Sequence, residues 1–115
     1  PDQVYDFSSA LKRAFPEVDF GLHLHDSCGR ALACVMAGLQ AGIDRYDSAA
    51  GGLGGCPFAP GAAGNLATED LLFTLDKMGI ATGIDSQSLL AFARRQSQIT
   101  VSGGSHMLAF SQSCD

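Results

Sequence analysis

The spacing of apolar residues predicts helices that alternate with short strands along this chain. Apolar side chains recur at nearly helical intervals over residues 2–15, and Pro16 ends that pattern. The apolar segment that follows, residues 18–25, predicts a short strand. Residues 26–43 then predict a helix with one apolar face, and Gly42 is well placed as its C-terminal cap.

The second part of the chain predicts one more strand, a long loop and two further helices. Residues 44–50 have the pattern of a strand, whereas the glycine- and proline-rich residues 51–65 are incompatible with a regular element. Thr68 is predicted to cap a helix that stops at Gly79, with two acidic residues in the first turn, where the helix dipole favours them. A last helix is predicted over residues 86–99.

This order predicts an α/β fold with a parallel sheet built from strand–helix units. Two strands are too few for such a sheet, because parallel sheets are buried on both faces and need further strands. The chain is therefore expected to be part of a larger fold. We expect residues 1–96 to form part of that larger domain and residues 97–115 to form a polar, disordered C-terminal tail.

Composition and charge exclude several classes of function. A length of 115 residues and a hydrophobic content of 46% are typical of one globular domain, and no apolar run approaches the roughly 18 residues of a membrane span. The net charge of −5 and the scattered basic residues argue against binding to nucleic acid. The first residues lack the layout of a secretory signal, so we expect a cytoplasmic or mitochondrial-matrix protein with reduced cysteines.

Two histidines at the end of the first predicted strand are the first candidates for chemistry. His23 and His25 are two residues apart, so a strand projects both imidazoles from one face, where they can bind one cation. The alternative is that one is structural and the other solvated, and spacing alone does not decide between them. Asp26 projects to the other face and is expected to cap the next helix or to accept a hydrogen bond from an imidazole. A catalytic metal needs further ligands, and His106, in the polar tail, is not expected to be one.

The glycine-rich loop carries the other candidates. Cys56 lies between a glycine and a proline, away from the apolar faces on which a cysteine kept for packing is found. A thiol on such a loop beside a cation would be suited to proton transfer. Cys28 and Cys114 have no comparable setting. Asn65 ends the loop, and its position alone is that of an ordinary loop or capping residue.

Several stretches together resemble one enzyme family. GLHLHD at residues 21–26, GGLGGCPFA at residues 51–59 and GNLATED at residues 64–70 closely resemble the C-terminal part of 3-hydroxy-3-methylglutaryl-CoA lyases. The similarity covers the chain from Pro1 to about Phe92. Related Claisen-type synthases and aldolases share the HxH strand and a glycine-rich loop, but not the extended run that contains the cysteine.

The resemblance implies the C-terminal portion of a (β/α)8 barrel, with about two strand–helix units and flanking helices. It implies that Mg²⁺ or Mn²⁺ binds at the mouth of the barrel, with His23, His25 and Asn65 among its ligands, and that Cys56 is the catalytic cysteine. The implied reaction is metal-assisted retro-Claisen cleavage of an acyl-CoA substrate, 3-hydroxy-3-methylglutaryl-CoA, to acetyl-CoA and acetoacetate, a step of ketone-body and leucine metabolism.

The chain also departs from the family that it resembles. A complete barrel takes about 250 residues, and no segment here matches the family's first strand, which carries a metal-binding aspartate and a catalytic arginine. We therefore expect either a homo-oligomer or association with the missing N-terminal half of the barrel, and little activity from the chain alone. Two alternatives stay open: a Claisen-condensing acyl-CoA synthase of the same superfamily, and a half-barrel that serves as an interaction module without catalysis.

Overall fold

The described part of the chain consists of five helices and two short strands. A computed structural model describes residues 1–55, 58, 61–99 and 104–112. In these ranges the elements are α1 (Asp2–Ala14), β1 (Gly21–His23), α2 (Ala31–Gln40), β2 (Arg45–Asp47), α3 (Thr68–Lys77), α4 (Ser86–Ser97) and α5 (His106–Gln112). Short 3-10 turns at Ser27–Gly29 and Ala50–Gly52 follow the two strands.

The two strands are parallel neighbours, joined by α2 as a crossover helix. Their register pairs Gly21 with Arg45 and His23 with Asp47. The predicted parallel arrangement of strand–helix units is therefore confirmed. Because the register aligns the two strand ends, the residues that follow each strand emerge at the same edge of the sheet, which is where parallel α/β folds place their functional groups.

The hydrophobic core lies where α2, α3 and the segment before α3 meet. Its buried members are aliphatic side chains on one face of each element, namely Ala31, Val35, Leu66, Leu71 and Leu75. Helix α1 packs on α2, and Lys12 Nζ donates to the Gly42 carbonyl at 2.7 Å, next to the end of α2. Gly42 has a φ of +80°, the left-handed conformation that was predicted for a glycine after this helix.

Tyr46 fastens β2 to the crossover helix through its hydroxyl group. The hydroxyl donates to the Ile43 carbonyl at 2.9 Å and lies 3.2 Å from the Val35 carbonyl. The same ring occupies the space beside Gly38, where a Cβ atom would clash with the Tyr46 hydroxyl. Burial, and secondarily the charge of Asp44, raises the pKa of Tyr46 from its usual 10.0 to about 12.

Replacing Tyr46 by phenylalanine is expected to remove a pH-dependent part of the stability. The pKa is higher in the folded than in the unfolded state, so this contribution is fully present below pH 10 and is lost as pH rises towards about 12. The folded Tyr46→Phe protein should lack this decline, although it should also lose about 1 kcal/mol at neutral pH with the hydroxyl's hydrogen bonds. Urea unfolding at neutral pH and at several pH values above 10 measures both effects. A parallel decline in the two proteins would contradict the assignment.

The predicted N-cap of α3 is wrong in one respect. The helix begins at Thr68 itself, and Ala67 occupies the capping position without a side-chain hydrogen bond. The Thr68 hydroxyl instead lies 2.9 Å from the Ser48 hydroxyl, so it connects α3 to the segment after β2. At α4 the cap is Asp85, whose carboxylate accepts hydrogen bonds from Ser88 and Gln87, and these lower the pKa of Asp85.

Part of the segment predicted as a polar tail is helical. Helix α5 packs against α3 and α4, and its Leu108 is buried. The boundary between the two predicted regions at residue 96 stays a prediction. None of the helices in the described ranges is both long and apolar enough to cross a lipid bilayer.

Candidate metal centre

The imidazoles of His23 and His25 converge at the end of β1. His23 is the last residue of the strand and His25 follows two residues later, so both rings project from the same side. Their Nε2 atoms are 3.3 Å apart and their ring centroids 5.2 Å. Both side chains are exposed, which leaves the pair accessible to a ligand from solvent.

The outer nitrogens of both rings face oxygen atoms, which favour protons on those nitrogens. His25 Nδ1 is 3.0 Å from the Ala63 carbonyl oxygen. A carbonyl oxygen can only accept, so Nδ1 of His25 carries the proton and its Nε2 presents a lone pair. His23 Nδ1 lies 3.6 Å from a carboxylate oxygen of Asp47, and this negative charge favours a proton on Nδ1 of His23 as well.

Two Nε2 lone pairs that face each other repel unless a proton or a cation lies between them. Around an octahedral cation, two neighbouring ligand atoms at about 2.1 Å from the ion are about 3 Å apart. The observed separation of 3.3 Å is close to that value. Hydrogen bonding of the outer ring nitrogen to a carbonyl or a carboxylate is the usual arrangement around metal-ligating histidines. The pair therefore fits a divalent cation.

Asn65 lies directly opposite His25. The two residues form an isolated antiparallel bridge, in which opposed Cβ atoms lie about 4.5–5.5 Å apart on one face. The Asn65 side-chain nitrogen donates to the Leu53 carbonyl at 2.8 Å, whereas its Oδ1 is buried without a hydrogen-bond partner among the described residues. An unpaired buried acceptor costs about 1–3 kcal/mol, so a cation that binds this oxygen would remove a penalty.

Backbone contacts hold the end of the glycine-rich loop against the end of β1. Leu66 N donates to the Leu24 carbonyl and Asp26 N to the Gly64 carbonyl, both at 2.9 Å. The Asp26 carboxylate accepts from Ala31 N at the start of α2, also at 2.9 Å. Asp26 therefore accepts from the first N–H of α2 as predicted for a cap, although Arg30 and not Asp26 occupies the N-cap position of this helix.

Glycine is required at residue 54 by the position of the Asn65 amide. Gly54 has a φ of +108°, and a Cβ atom at this residue would clash with the Asn65 side chain. Any side chain here would push the amide away from the Leu53 carbonyl. Because the loop is rich in glycine, its two ends can approach closely enough to orient Asn65.

His23, His25 and Asn65 are the candidate metal ligands in the described ranges. No group of three or more His, Cys, Asp or Glu side chains in these ranges is arranged to bind a metal. The candidate set is therefore two imidazole nitrogens and one amide oxygen. Further ligands would have to come from residues outside the described ranges, from solvent, from substrate or from another part of the barrel.

A family model described as HMGL-like matches residues 1–95 of the chain. The chain belongs to this family. Hydroxymethylglutaryl-CoA lyase of Bacillus subtilis is 47% identical over 94 residues, which cover 82% of this chain and 31% of that enzyme. The human mitochondrial hydroxymethylglutaryl-CoA lyase is 47% identical over 90 residues, which cover 78% of this chain and 28% of that enzyme. The chain thus spans about three-tenths of the length of these relatives.

Solved structures of the family show the same fold. The Bacillus subtilis HMG-CoA lyase superposes with a TM-score of 0.88 at 41% identity, over 97% of this chain and 38% of that one. An HMG-CoA lyase from Acinetobacter baumannii, solved in complex with coenzyme A and 3-methylmalate, superposes with a TM-score of 0.84 at 38% identity, over 95% of this chain and 36% of that one. The predicted fold, a portion of a (β/α)8 barrel of the HMGL-like family, is confirmed.

Two of the four cysteines of this HMGL-like chain lie in the ranges that the structure describes. Cys56 and Cys114 lie outside the described residues, so the catalytic role of Cys56 stays a prediction. Cys28 is exposed, Cys34 is half-buried, and both are free thiols. His106 lies in α5 and is exposed.

Two carboxylates near the site were not among the predicted residues. Asp47 faces His23 because the parallel register places these residues side by side, and register cannot be derived from the spacing within one strand. Glu69 is buried and accepts from the Gly51 N–H. In the sequence its only signal was its position in the first turn of α3, which indicated a favourable helix dipole and not a contact with the loop.

Proposed function

We propose that this chain supplies part of the active site of a metal-dependent carbon–carbon lyase that cleaves 3-hydroxy-3-methylglutaryl-CoA to acetyl-CoA and acetoacetate. The observation that carries the proposal is the convergence of two imidazole Nε2 atoms, 3.3 Å apart, at the strand ends of an HMGL-like fold. They lie opposite an amide whose oxygen has no hydrogen-bond partner among the described residues. The lyase names of the relatives favour cleavage over condensation.

His23, His25 and Asn65 are the residues of this chain that would hold the cation, Mg²⁺ or Mn²⁺. When bound, the cation supplies a positive charge that favours loss of a proton from the substrate hydroxyl and stabilises developing negative charge. Nitrogen and oxygen donors of this kind accept several divalent ions. Asp47 and the Ala63 carbonyl favour protons on the outer ring nitrogens, an arrangement that makes both Nε2 atoms available.

The reaction breaks the bond between C2 and C3 of the substrate's acyl chain. A base removes the proton from the tertiary hydroxyl at C3, and the electron pair of the C2–C3 bond passes to the thioester as an enolate. Acetoacetate leaves with the new carbonyl at C3. The enolate carbon then takes up a proton to give acetyl-CoA, and we assign the donation of that proton to the Cys56 thiol.

The proposal also covers partners and location. The substrate is an acyl-CoA, and the Acinetobacter baumannii relative was solved with coenzyme A. The relatives include bacterial and mitochondrial enzymes, so we place the protein in the bacterial cytoplasm or the mitochondrial matrix. Self-association, or completion by the N-terminal part of a barrel, stays a prediction.

The deciding experiment compares the chain alone with the completed barrel. By completed barrel we mean this chain joined either to any sequence that precedes it in its own protein or to the corresponding N-terminal part of the Bacillus subtilis enzyme. With Mn²⁺, we expect cleavage of 3-hydroxy-3-methylglutaryl-CoA by the completed barrel and none by the chain alone, because the described donors form only part of a ligand set. A chelator should abolish the activity and added Mn²⁺ should restore it.

Two results would contradict this proposal. Normal turnover by the isolated 115 residues would show that no further barrel strands are needed. A completed barrel that binds Mn²⁺ and condenses acetyl-CoA, but does not cleave the substrate, would favour the condensing synthase.

A further inference from the structure

We infer that Glu69 is a positioning residue for Asn65, and that it acts by fixing the first turn of the glycine-rich loop. The inference rests on the proposed function, since it concerns an amide that we assign to the metal centre. We call Gly51–Leu53 together with Gly64 and Asn65 the loop base. Glu69 accepts a hydrogen bond from the loop base, at Gly51 N.

The Glu69 carboxylate is directed at one backbone group. Its two oxygens lie 3.0 and 3.1 Å from the Gly51 nitrogen, and the residue is only 4% exposed. A buried negative charge is costly, and the position of Glu69 in the first turn of α3 lowers this cost because the helix N-terminus carries partial positive charge. A carboxylate also makes a stronger hydrogen bond to an N–H than a neutral acceptor does. The charge is thus used to hold the Gly51 N–H in place.

Gly51 needs such a restraint because of its backbone conformation. It lies in the 3-10 turn after β2 with a φ of +67°, and Gly52 follows with a φ of +62°. Glycine has more backbone conformations available than any other residue, so two consecutive glycines specify the direction of the chain poorly by themselves. The hydrogen bond from Gly51 to Glu69 compensates for that freedom at the point where the loop leaves the sheet.

The position of this 3-10 turn also determines where the Asn65 amide lies. Leu53 follows Gly52 directly, and its carbonyl accepts from the Asn65 side-chain nitrogen at 2.8 Å. That hydrogen bond assigns the nitrogen to Leu53 and leaves Oδ1, which has no partner in the described part of the chain, as the donor atom for a cation. Gly52 also lies so close to Gly64 that a Cβ atom at Gly64 would clash with the Gly52 carbonyl. A displacement of Gly51 would therefore move both contacts that define the orientation of Asn65.

Asp70 provides a matched control from the same helical turn. It is nearly as buried as Glu69, at 6% exposed, and its carboxylate also accepts backbone hydrogen bonds, but from His106 N and Met107 N at the start of α5. Removal of either charge is expected to cost stability. Only the change at Glu69 is expected to disturb the loop base directly. The control is a strict one, because Gly104, two residues before α5, also contacts Gly52 in the loop base.

The test measures hydrogen exchange and Mn²⁺ binding in the completed barrel with Glu69→Ala, Glu69→Gln and Asp70→Asn. In the metal-free protein, Glu69→Ala should speed exchange of the Gly51 amide by about ten- to a hundredfold, because a hydrogen bond to a charged acceptor is lost. Glu69→Gln keeps an acceptor oxygen and should retain part of the protection. Asp70→Asn should instead speed exchange in residues 104–112. Mn²⁺ affinity, measured by calorimetry, should fall about tenfold in Glu69→Ala and remain near wild type in Asp70→Asn.

The outcomes separate a positioning role from a purely structural one. The inference is overturned if Glu69→Ala lowers the melting temperature while Gly51 exchange and Mn²⁺ affinity stay at their wild-type values. It is also overturned if Asp70→Asn reproduces both effects of Glu69→Ala. Should Glu69→Ala fail to fold, Glu69→Gln decides by the same two readouts. A completed barrel without lyase activity would refute the proposed function, but the exchange and Mn²⁺ measurements would still test the role of Glu69.

Discussion

Replacing His25 by alanine in the completed barrel is expected to weaken binding of Mn²⁺ by more than about a hundredfold and to lower cleavage by at least about a thousandfold. The first figure exceeds the 10–100-fold that the loss of an outer hydrogen-bond partner typically costs, because a direct donor is removed. The second corresponds to loss of several kcal/mol of charge stabilisation in the transition state. Calorimetric titration with Mn²⁺ and steady-state kinetics measure the two quantities. Because His25 is exposed, the fold should tolerate the change.

Three further variants distinguish loss of a ligand from loss of the contact with the loop. In His25→Asn, the amide nitrogen can take the place of Nδ1 and donate to the Ala63 carbonyl, which now accepts at 3.0 Å, but no donor atom reaches the position of Nε2. It should bind metal as poorly as His25→Ala. His25→Gln places an amide oxygen near the position of Nε2 and should retain weak binding. His106→Ala, the same substitution on α5, should behave as wild type. Full Mn²⁺ affinity in His25→Asn would mean that His25 acts through the loop and is not a ligand.

Four of the five helices and both strands in the described ranges could be predicted, because local spacing determines them. A two-residue period placed His23 and His25 on one face, and the three-to-four-residue period of α2 placed Val35 in the core. The glycine after α2 was recognisable for the same reason, since the signal and its effect lie within one turn. Predictions failed where a tertiary contact outcompeted a local one, as at Thr68, whose hydroxyl bonds Ser48 instead of capping its own helix.

The parts of the site that were not predicted depend on contacts between distant segments. By its position alone Asn65 looked like an ordinary loop residue, and the bridge to His25, 40 positions earlier in the sequence, brings it beside the proposed metal centre. Asp47 and Glu69 are close to the site through strand register and through the fold of the loop base, and neither is encoded in nearby spacing. The family resemblance supplied Asn65 but not these two carboxylates, because it assigns known roles and not supporting contacts.

Helix α5 was not predicted, because contacts with a distant segment order it. The Ser- and Gly-rich composition of residues 97–115 predicted a tail, because such a segment buries too little apolar surface to order itself. In the structure, Asp70 accepts from the Ser105 hydroxyl and from two N–H groups in the first turn of the helix, and Leu108 is buried. The order of this short helix therefore comes from α3, through a buried carboxylate whose partner lies more than thirty residues away.

Replacing Cys56 by serine is expected to lower kcat for cleavage by about 10²–10⁴-fold, the usual contribution of a general acid, with little change in Mn²⁺ affinity. A hydroxyl is a far weaker acid than a thiol, so the enolate of acetyl-CoA would be protonated slowly, whereas no predicted metal ligand is altered. Kinetics and calorimetry on the completed barrel give the two quantities. Cys28→Ser is the matched control, since Cys28 is an exposed free thiol for which no role is proposed.

A second measurement isolates the proton-transfer step from carbon–carbon cleavage. If the Cys56 thiol donates to the enolate carbon, it must by microscopic reversibility also remove a proton from the methyl group of acetyl-CoA. The completed barrel with Mn²⁺ should therefore exchange deuterium from D₂O into that methyl group, and Cys56→Ser should lose the exchange together with turnover. If Cys56→Ser retained both the deuterium exchange and the turnover, Cys56 would have no role in the mechanism. If Cys56→Ser lost turnover but kept full exchange, Cys56 would instead act at the substrate's tertiary hydroxyl, in the step that removes its proton.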